Sequence, residues 1–318
     1  MKSRKILKLI FKLVVIIASY SFIVYKILNY EELNTILLQI KSFDLLKILL
    51  LILTLVLMMI NWNIEALKWR LLIKKLENIS IIIAVKAVFT GITLAIFTPN
   101  RIGELGGRII LLSSKNRKSG IFATAVGSYS QVIITIFTGL ISFCLFIIFF
   151  PEKFYFQNIP NILILVFFLF LVSAVLFFYL NLSFFTRWLE KIPFINKYRD
   201  HFLFINKYRR RVLLKVLLYS MLRYVVFVTQ YFILLKWAGV EITFIEGIVS
   251  IGMTYFFMLF IPIITIAEPG IRGSVALLVF GIFSGDVVGI VSASILLWII
   301  NLAIPAIIGS FVLYRTKI

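Results

Sequence analysis

The chain has 318 residues, 62% of them hydrophobic and only 14% charged, against about half apolar and about a quarter charged in soluble domains. That excludes an ordinary soluble domain, and the high hydrophobicity excludes a disordered chain. A balance of 33 Lys and Arg against 13 Asp and Glu, net +20, would point to nucleic acid in a soluble protein. Here the bases gather at the ends of apolar runs, as expected of cytoplasmic anchoring beside anionic lipid. They form no recognisable nucleic-acid-binding module. The single Cys144 and the single His201 exclude an intramolecular disulfide and argue against a zinc site. No cofactor is expected.

In chain order, Lys2, Arg4, Lys5, Lys8 and Lys12 place the N-terminus in the cytoplasm. No small-x-small cleavage site follows, so residues 9–28 are read as an uncleaved first span. Residues 31–44 mix acids and bases, as in an amphipathic segment on the outer surface. Residues 45–72 form a second span that ends inside at Lys68, Arg70, Lys74 and Lys75. The next apolar stretch is interrupted by Thr98-Pro-Asn-Arg-Ile-Gly-Glu-Leu-Gly-Gly-Arg108 and soon reaches Lys115, Arg117 and Lys118. Bases on both flanks want the same side, so residues 79–113 should enter and return. Pro99 and Gly103 break the helix in the middle. Such a hairpin is allowed at membrane depth only where protein or a cavity covers it.

Residues 121–150 span outward and 161–180 span back. A loop with nine bases between Arg187 and Lys215 must be cytoplasmic. Trp188, Tyr198 and Tyr208 among them fit an interfacial amphipathic segment. Residues 213–236 span outward to a loop whose only charges are Glu241 and Glu246. Residues 245–283 then repeat the broken pattern from the outer side, with breaks at Pro262, Pro269 and Gly270. Residues 287–313 span inward to Arg315 and Lys317.

The predicted fold is an all-α integral membrane protein. It has about six spanning helices plus two re-entrant helical hairpins in an inverted-topology repeat, a plan common in secondary transporters. It divides into residues 1–44 (anchor and outer segment), 45–150 (first repeat), 151–212 (connecting span and basic loop) and 213–318 (second repeat). Both termini are predicted in the cytoplasm.

The two hairpins share Glu-x-Gly-x-Arg, as Glu104-Leu-Gly106-Gly-Arg108 and Glu268-Pro-Gly270-Ile-Arg272. Glu and Arg four apart lie on one helix face and can pair. Each pair opens a returning arm, where a helix N-terminus and a planar guanidinium both suit an anion. Two such arms meeting near the midplane would make a polar site from Glu104, Arg108, Glu268 and Arg272, with Arg101 and Arg223 nearby. The alternative is that each pair only locks its own hairpin. Arg223 and Glu65 could pair, line the cavity or snorkel, and snorkelling is favoured for Lys68 and Arg70. Gln131, Gln230 and Asn301 read first as hydrogen-bond glue between helices.

These residues carry a resemblance. Ala66-Leu-Lys-Trp-Arg-Leu-Leu72, Thr98-Pro-Asn-Arg-Ile-Gly-Glu104 with Arg108, and the Glu268-Pro-Gly270 break resemble the flippase-like transmembrane region of lysylphosphatidylglycerol synthases, over nearly the whole chain. In the full synthases a soluble aminoacyl-transfer domain follows. This chain stops at Ile318, so the resemblance implies the transport region alone, not an enzyme. It implies movement of a polar lipid between leaflets of a bacterial inner membrane, with an anionic phospholipid or a polyprenyl-phosphate-linked glycan as substrate. The alternative is an accessory subunit that holds a glycosyltransferase or other cell-envelope enzyme at the membrane through its basic loop. No nucleophile–base pair, paired-carboxylate motif or metal set supports an intramembrane enzyme.

Overall fold

The computed structural model describes residues 44–98, 101–153, 161–192, 199–261 and 268–315. The predicted first span, the outer segment up to residue 43, and the breaks at Pro99 and Pro262 lie outside these residues. All the regular elements described are helical. Four stretches, Leu45–Ile73, Ser114–Phe149, Arg210–Trp237 and Val287–Arg315, are long and apolar enough to cross a membrane.

Helix α1 (Leu45–Ile73) is apolar on the outside and polar within. Thr54, Asn61, Glu65 and Lys68 recur at helical spacing and are buried, whereas Leu49, Ile52, Val56 and Ile60 are exposed. In lipid the exposed leucines and isoleucines need no cover, so the buried face is free to carry polar groups that join helices. Helix α1 packs along α7 (Arg210–Trp237), and Gln230 Nε2 donates to the Thr54 carbonyl at 3.0 Å.

Between them in sequence, α2 (Ile81–Ala95) starts at a Ser80 cap and turns back into α3 (Gly103–Ile109). At 15 and 7 residues and about 1.5 Å per residue, neither arm crosses a core of about 30 Å. The turn holds Arg101 at φ +58°, a left-handed conformation that is unusual and costly outside glycine. The arms touch because Gly91 faces Gly107. A Cβ on Gly107 would lie 2.6 Å from the Gly91 Cα and from the Thr90 carbonyl oxygen. Gly107→Ala should therefore force the arms apart and cost about 1–3 kcal/mol, seen as a lower thermal unfolding temperature. Gly106→Ala, whose added methyl meets nothing, should not show the loss.

Helix α4 (Arg117–Phe149) leads through α5 (Asn161–Leu180) and α6 (Leu182–Glu190) to short turns at Arg199–Phe202 and Leu203–Lys207. These turns pack on α4 and α6, and Tyr208 donates to the Leu72 carbonyl at 2.5 Å. After α7, α8 (Phe244–Met258) begins with a Thr243/Glu246 capping box. Then α9 (Glu268–Phe280) leads to α10 (Val287–Trp298) and α11 (Ile304–Arg315). Between α10 and α11 the helix widens over Ile299–Ala303. Pro305 has no N–H, and its ring crowds the carbonyl four residues back, at Asn301, which accounts for the widening.

The long contacts pair reciprocally. Helix α2 packs on α11, through Gly309 against Phe89 and a 2.9 Å bond from Thr93 Oγ1 to the Ala306 carbonyl. Helix α8 packs on α4, through Gly252 against Ser142 and Gly139 against Phe256.

Candidate functional site

The charged site is assembled from both halves of the chain. Its hub is Glu65, 3% exposed on the inner face of α1. Oxygen Oε1 accepts from Arg108 Nη1 at 2.6 Å, and Oε2 takes Lys68 Nζ at 2.8 Å together with Arg223 Nη1. One carboxylate thus neutralises part of three cations drawn from α1, α3 and α7. Each cation has further partners. Lys68 donates to the Gly127 carbonyl at 3.2 Å, Arg108 also pairs with Glu104, and Arg223 Nε donates to Asn61 Oδ1 at 2.9 Å. The Arg223 guanidinium lies over the Trp62 ring, 5.0 Å from its centre, a favourable cation–π arrangement.

A second cluster joins Arg101, just before α3, to α9. Glu268 Oε1 accepts from Arg272, Nε at 3.0 Å and Nη2 at 2.9 Å, and from Arg101 Nη2 at 2.5 Å across 167 positions of sequence. The Glu-x-Gly-x-Arg spacing therefore pairs as expected within α3 and within α9, and Arg101 ties the turn before α3 to the start of α9.

Both clusters border one chamber of about 520 Å³, within the range of small-molecule sites. Glu65, Lys68, Arg101, Glu104, Arg223 and Arg272 reach its wall, and Trp62, Phe227, Tyr255 and Trp298 give it aromatic surface. Two buried nitrogens there, Trp62 Nε1 and Trp298 Nε1, have no hydrogen-bond partner among the described residues. An isolated ion is expensive inside a membrane protein, so charges gathered around a chamber are a site by default.

The family described as the lysylphosphatidylglycerol synthase TM region matches residues 9–309. The chain belongs to that family. No curated protein and no solved structure matches it. Family membership gives the chain a membrane, lipid-related function, and within the family frame the residues singled out by sequence fall as follows.

Arg101, Glu104, Arg223 and Arg272 line the chamber, and Arg108 and Glu268 stand directly behind, each bonded to a lining residue. Gly103 opens α3 and donates its N–H to Thr98 Oγ1 at 2.6 Å, and a Cβ there would strike the Leu94 backbone. Pro269 and Gly270 sit inside the first turn of α9 rather than in a break, and a first turn accepts proline because its N–H has no helical partner. Lys68 does not snorkel. It is 1% exposed, because Glu65 one turn earlier holds it inward. Gln230 bridges helices as described above. Asn301 instead bonds its own helix, at the Leu297 carbonyl.

Glu65 and Arg223 pair and both line the chamber, two of the alternatives open in the sequence; that Glu65 gathers three cations, and the aromatic wall, were not singled out by sequence. The signal for Glu65 was its place in the Thr54, Asn61, Glu65, Lys68 stripe on α1.

Proposed function

We propose that the chain moves an anionic or glycan-linked polar lipid between the leaflets of a bacterial inner membrane. The headgroup would pass through the charged chamber and the acyl tails would stay in lipid. The observation that carries this reading is the chamber itself: eight ionised side chains collected among membrane-length helices, six of them on its wall. No soluble-enzyme chemistry is proposed for it.

The same reading takes residues 79–113 and 245–283 as hairpins of an inverted repeat with both termini in the cytoplasm. Several observations support it. The arms are too short to cross alone. The ends of the first hairpin are tied together, since the Glu77 carboxylate accepts from Ser113 Oγ at 2.6 Å and from Asn116 Nδ2 at 2.9 Å. Partial burial works against that carboxylate, but the bonds from Asn116 and Ser113 prevail and hold it below its ordinary pKa. The ends of the second meet where Val240 lies beside Gly289. The reciprocal pairing of α2 with α11 and α8 with α4 is what a two-fold relation between halves would produce.

Single cysteines at Lys74 and Lys115, in a Cys144→Ser background, should react with a membrane-impermeant maleimide from the same, inner, side. Labelling from opposite sides would contradict the hairpin. Transport is tested by purified chain in liposomes carrying fluorescent lipids of different headgroups, where anionic or glycan-linked lipids should cross fastest. Folded protein that moves none of them would remove the transport reading and favour an accessory subunit acting through its basic loop.

A further inference from the structure

The charges around the chamber do not balance. Among the described residues, Lys68, Arg101, Arg108, Arg223 and Arg272 pair with Glu65, Glu104 and Glu268 alone. Counted at formal charges, five cations less three carboxylates leave two positive charges. The surplus is divided between two walls. In one, Glu65 and Glu104 face Lys68, Arg108 and Arg223, and in the other Glu268 faces Arg101 and Arg272, so each wall carries one unmatched positive charge.

The second wall is also layered. The Glu268 side chain is 1% exposed, whereas those of Arg101 and Arg272 are 31% and 19% exposed. The carboxylate stands behind and the two guanidinium groups in front. Each guanidinium has five N–H donors, of which Glu268 takes one from Arg101 and two from Arg272. The remaining donors, apart from one that Arg272 shares with Tyr255, belong to side chains that line the chamber, and planar guanidinium groups match phosphate oxygens.

We infer that the chamber takes a doubly charged phosphate, as a diphosphate esterified at both ends or a terminal phosphomonoester, in preference to a singly charged phosphodiester. Arg101 and Arg272 grip it, and Glu268 is the positioning residue behind them. The Glu65 cluster, through Lys68 and Arg223 on the same chamber, supplies the second positive charge. This rests on the transport reading only for the source of the phosphate, a lipid rather than a free anion.

The test uses the full chain in nanodiscs of phosphatidylcholine at a pH about one unit above the second phosphate ionisation near 6, where about nine-tenths of a phosphomonoester is doubly charged. Four probes are titrated: short-chain phosphatidic acid, phosphatidylglycerol with the same tails, a short prenyl diphosphate carrying one sugar on its terminal phosphate, and inorganic pyrophosphate. The two doubly charged lipids should bind at least about tenfold more tightly than phosphatidylglycerol, the order expected for one added charge at close range in a partly buried site. Arg101→Gln, on the most exposed of the three partners, should bring that ratio close to unity. Arg272→Lys keeps the charge but loses the planar guanidinium, and should reduce the ratio severalfold. It serves as the second variant if the first is poorly folded. Equal affinity for the singly and doubly charged lipids overturns the inference and leaves the transport reading standing. Binding of pyrophosphate with no binding of either doubly charged lipid keeps the phosphate class and removes the lipid source. Binding of none of the four overturns both.

Discussion

Glu65→Gln should cost the chain about 3–5 kcal/mol or more, because it leaves a buried cluster without its shared counter-charge. Lys68 would lose its ion pair, Arg223 would be left with no carboxylate partner beside Asn61, the long contact to Gln131 and the Trp62 ring, and Arg108 would keep Glu104 as its one carboxylate. Three cations would then repel one another inside the helix bundle. Thermal unfolding and yield in detergent measure the effect. Glu65→Asp, which keeps the charge on a shorter arm, should recover part of the loss. An unfolding temperature near wild type for Glu65→Gln would show that water or bound anion already balances these cations.

Arg272→Ala and Glu104→Ala should behave in the opposite way, abolishing lipid movement with modest loss of stability. Both side chains are partly exposed to the chamber, and each leaves its partner paired. Glu268 retains Arg101 after the first change, and Arg108 retains Glu65 after the second. Partly solvated pairs are worth about 1 kcal/mol or less, so the folded fraction should hardly change. Unfolding temperature and lipid movement measured on the same preparations separate the two roles. Loss of fold together with loss of movement would mean the pairs only lock the hairpins. Movement retained in either stable variant removes that residue from the site.

The long helices were legible because a membrane imposes a simple rule: the apolar stretches that became α1, α4, α7 and the α10–α11 stretch are long enough to span and carry few charges. The pairs Glu104–Arg108 and Glu268–Arg272 were legible because they are local, four residues apart on one helix face. The contacts that assemble the site are not local. Arg108 reaches Glu65 across 43 positions, Arg223 reaches it across 158, and Arg101 reaches Glu268 across 167. No periodicity within one segment encodes such a meeting. Lys68 misled in part for the same reason. Near a span end a lysine is expected to reach for the headgroups, but Glu65 one turn earlier, with the Gly127 carbonyl and the Ser220 hydroxyl far along the chain, turns it inward. The aromatic wall was hidden among 32 phenylalanines and 13 tyrosines, most of which serve packing. The widened turn at Ile299–Ala303 had a visible cause in Pro305, but a proline late in an apolar run does not by itself fix where the ladder opens.

The central claim is that a lipid headgroup passes through this chamber. Ser128 lies on the chamber wall and is exposed, and replacing serine by cysteine changes one atom. The Ser128→Cys protein, in a Cys144→Ser background, is reconstituted into liposomes with a fluorescent anionic lipid, and lipid movement is timed before and after reaction with a bulky maleimide. Movement should be near wild type before labelling and fall to the protein-free rate afterwards. An unchanged rate at full labelling would contradict passage through the chamber.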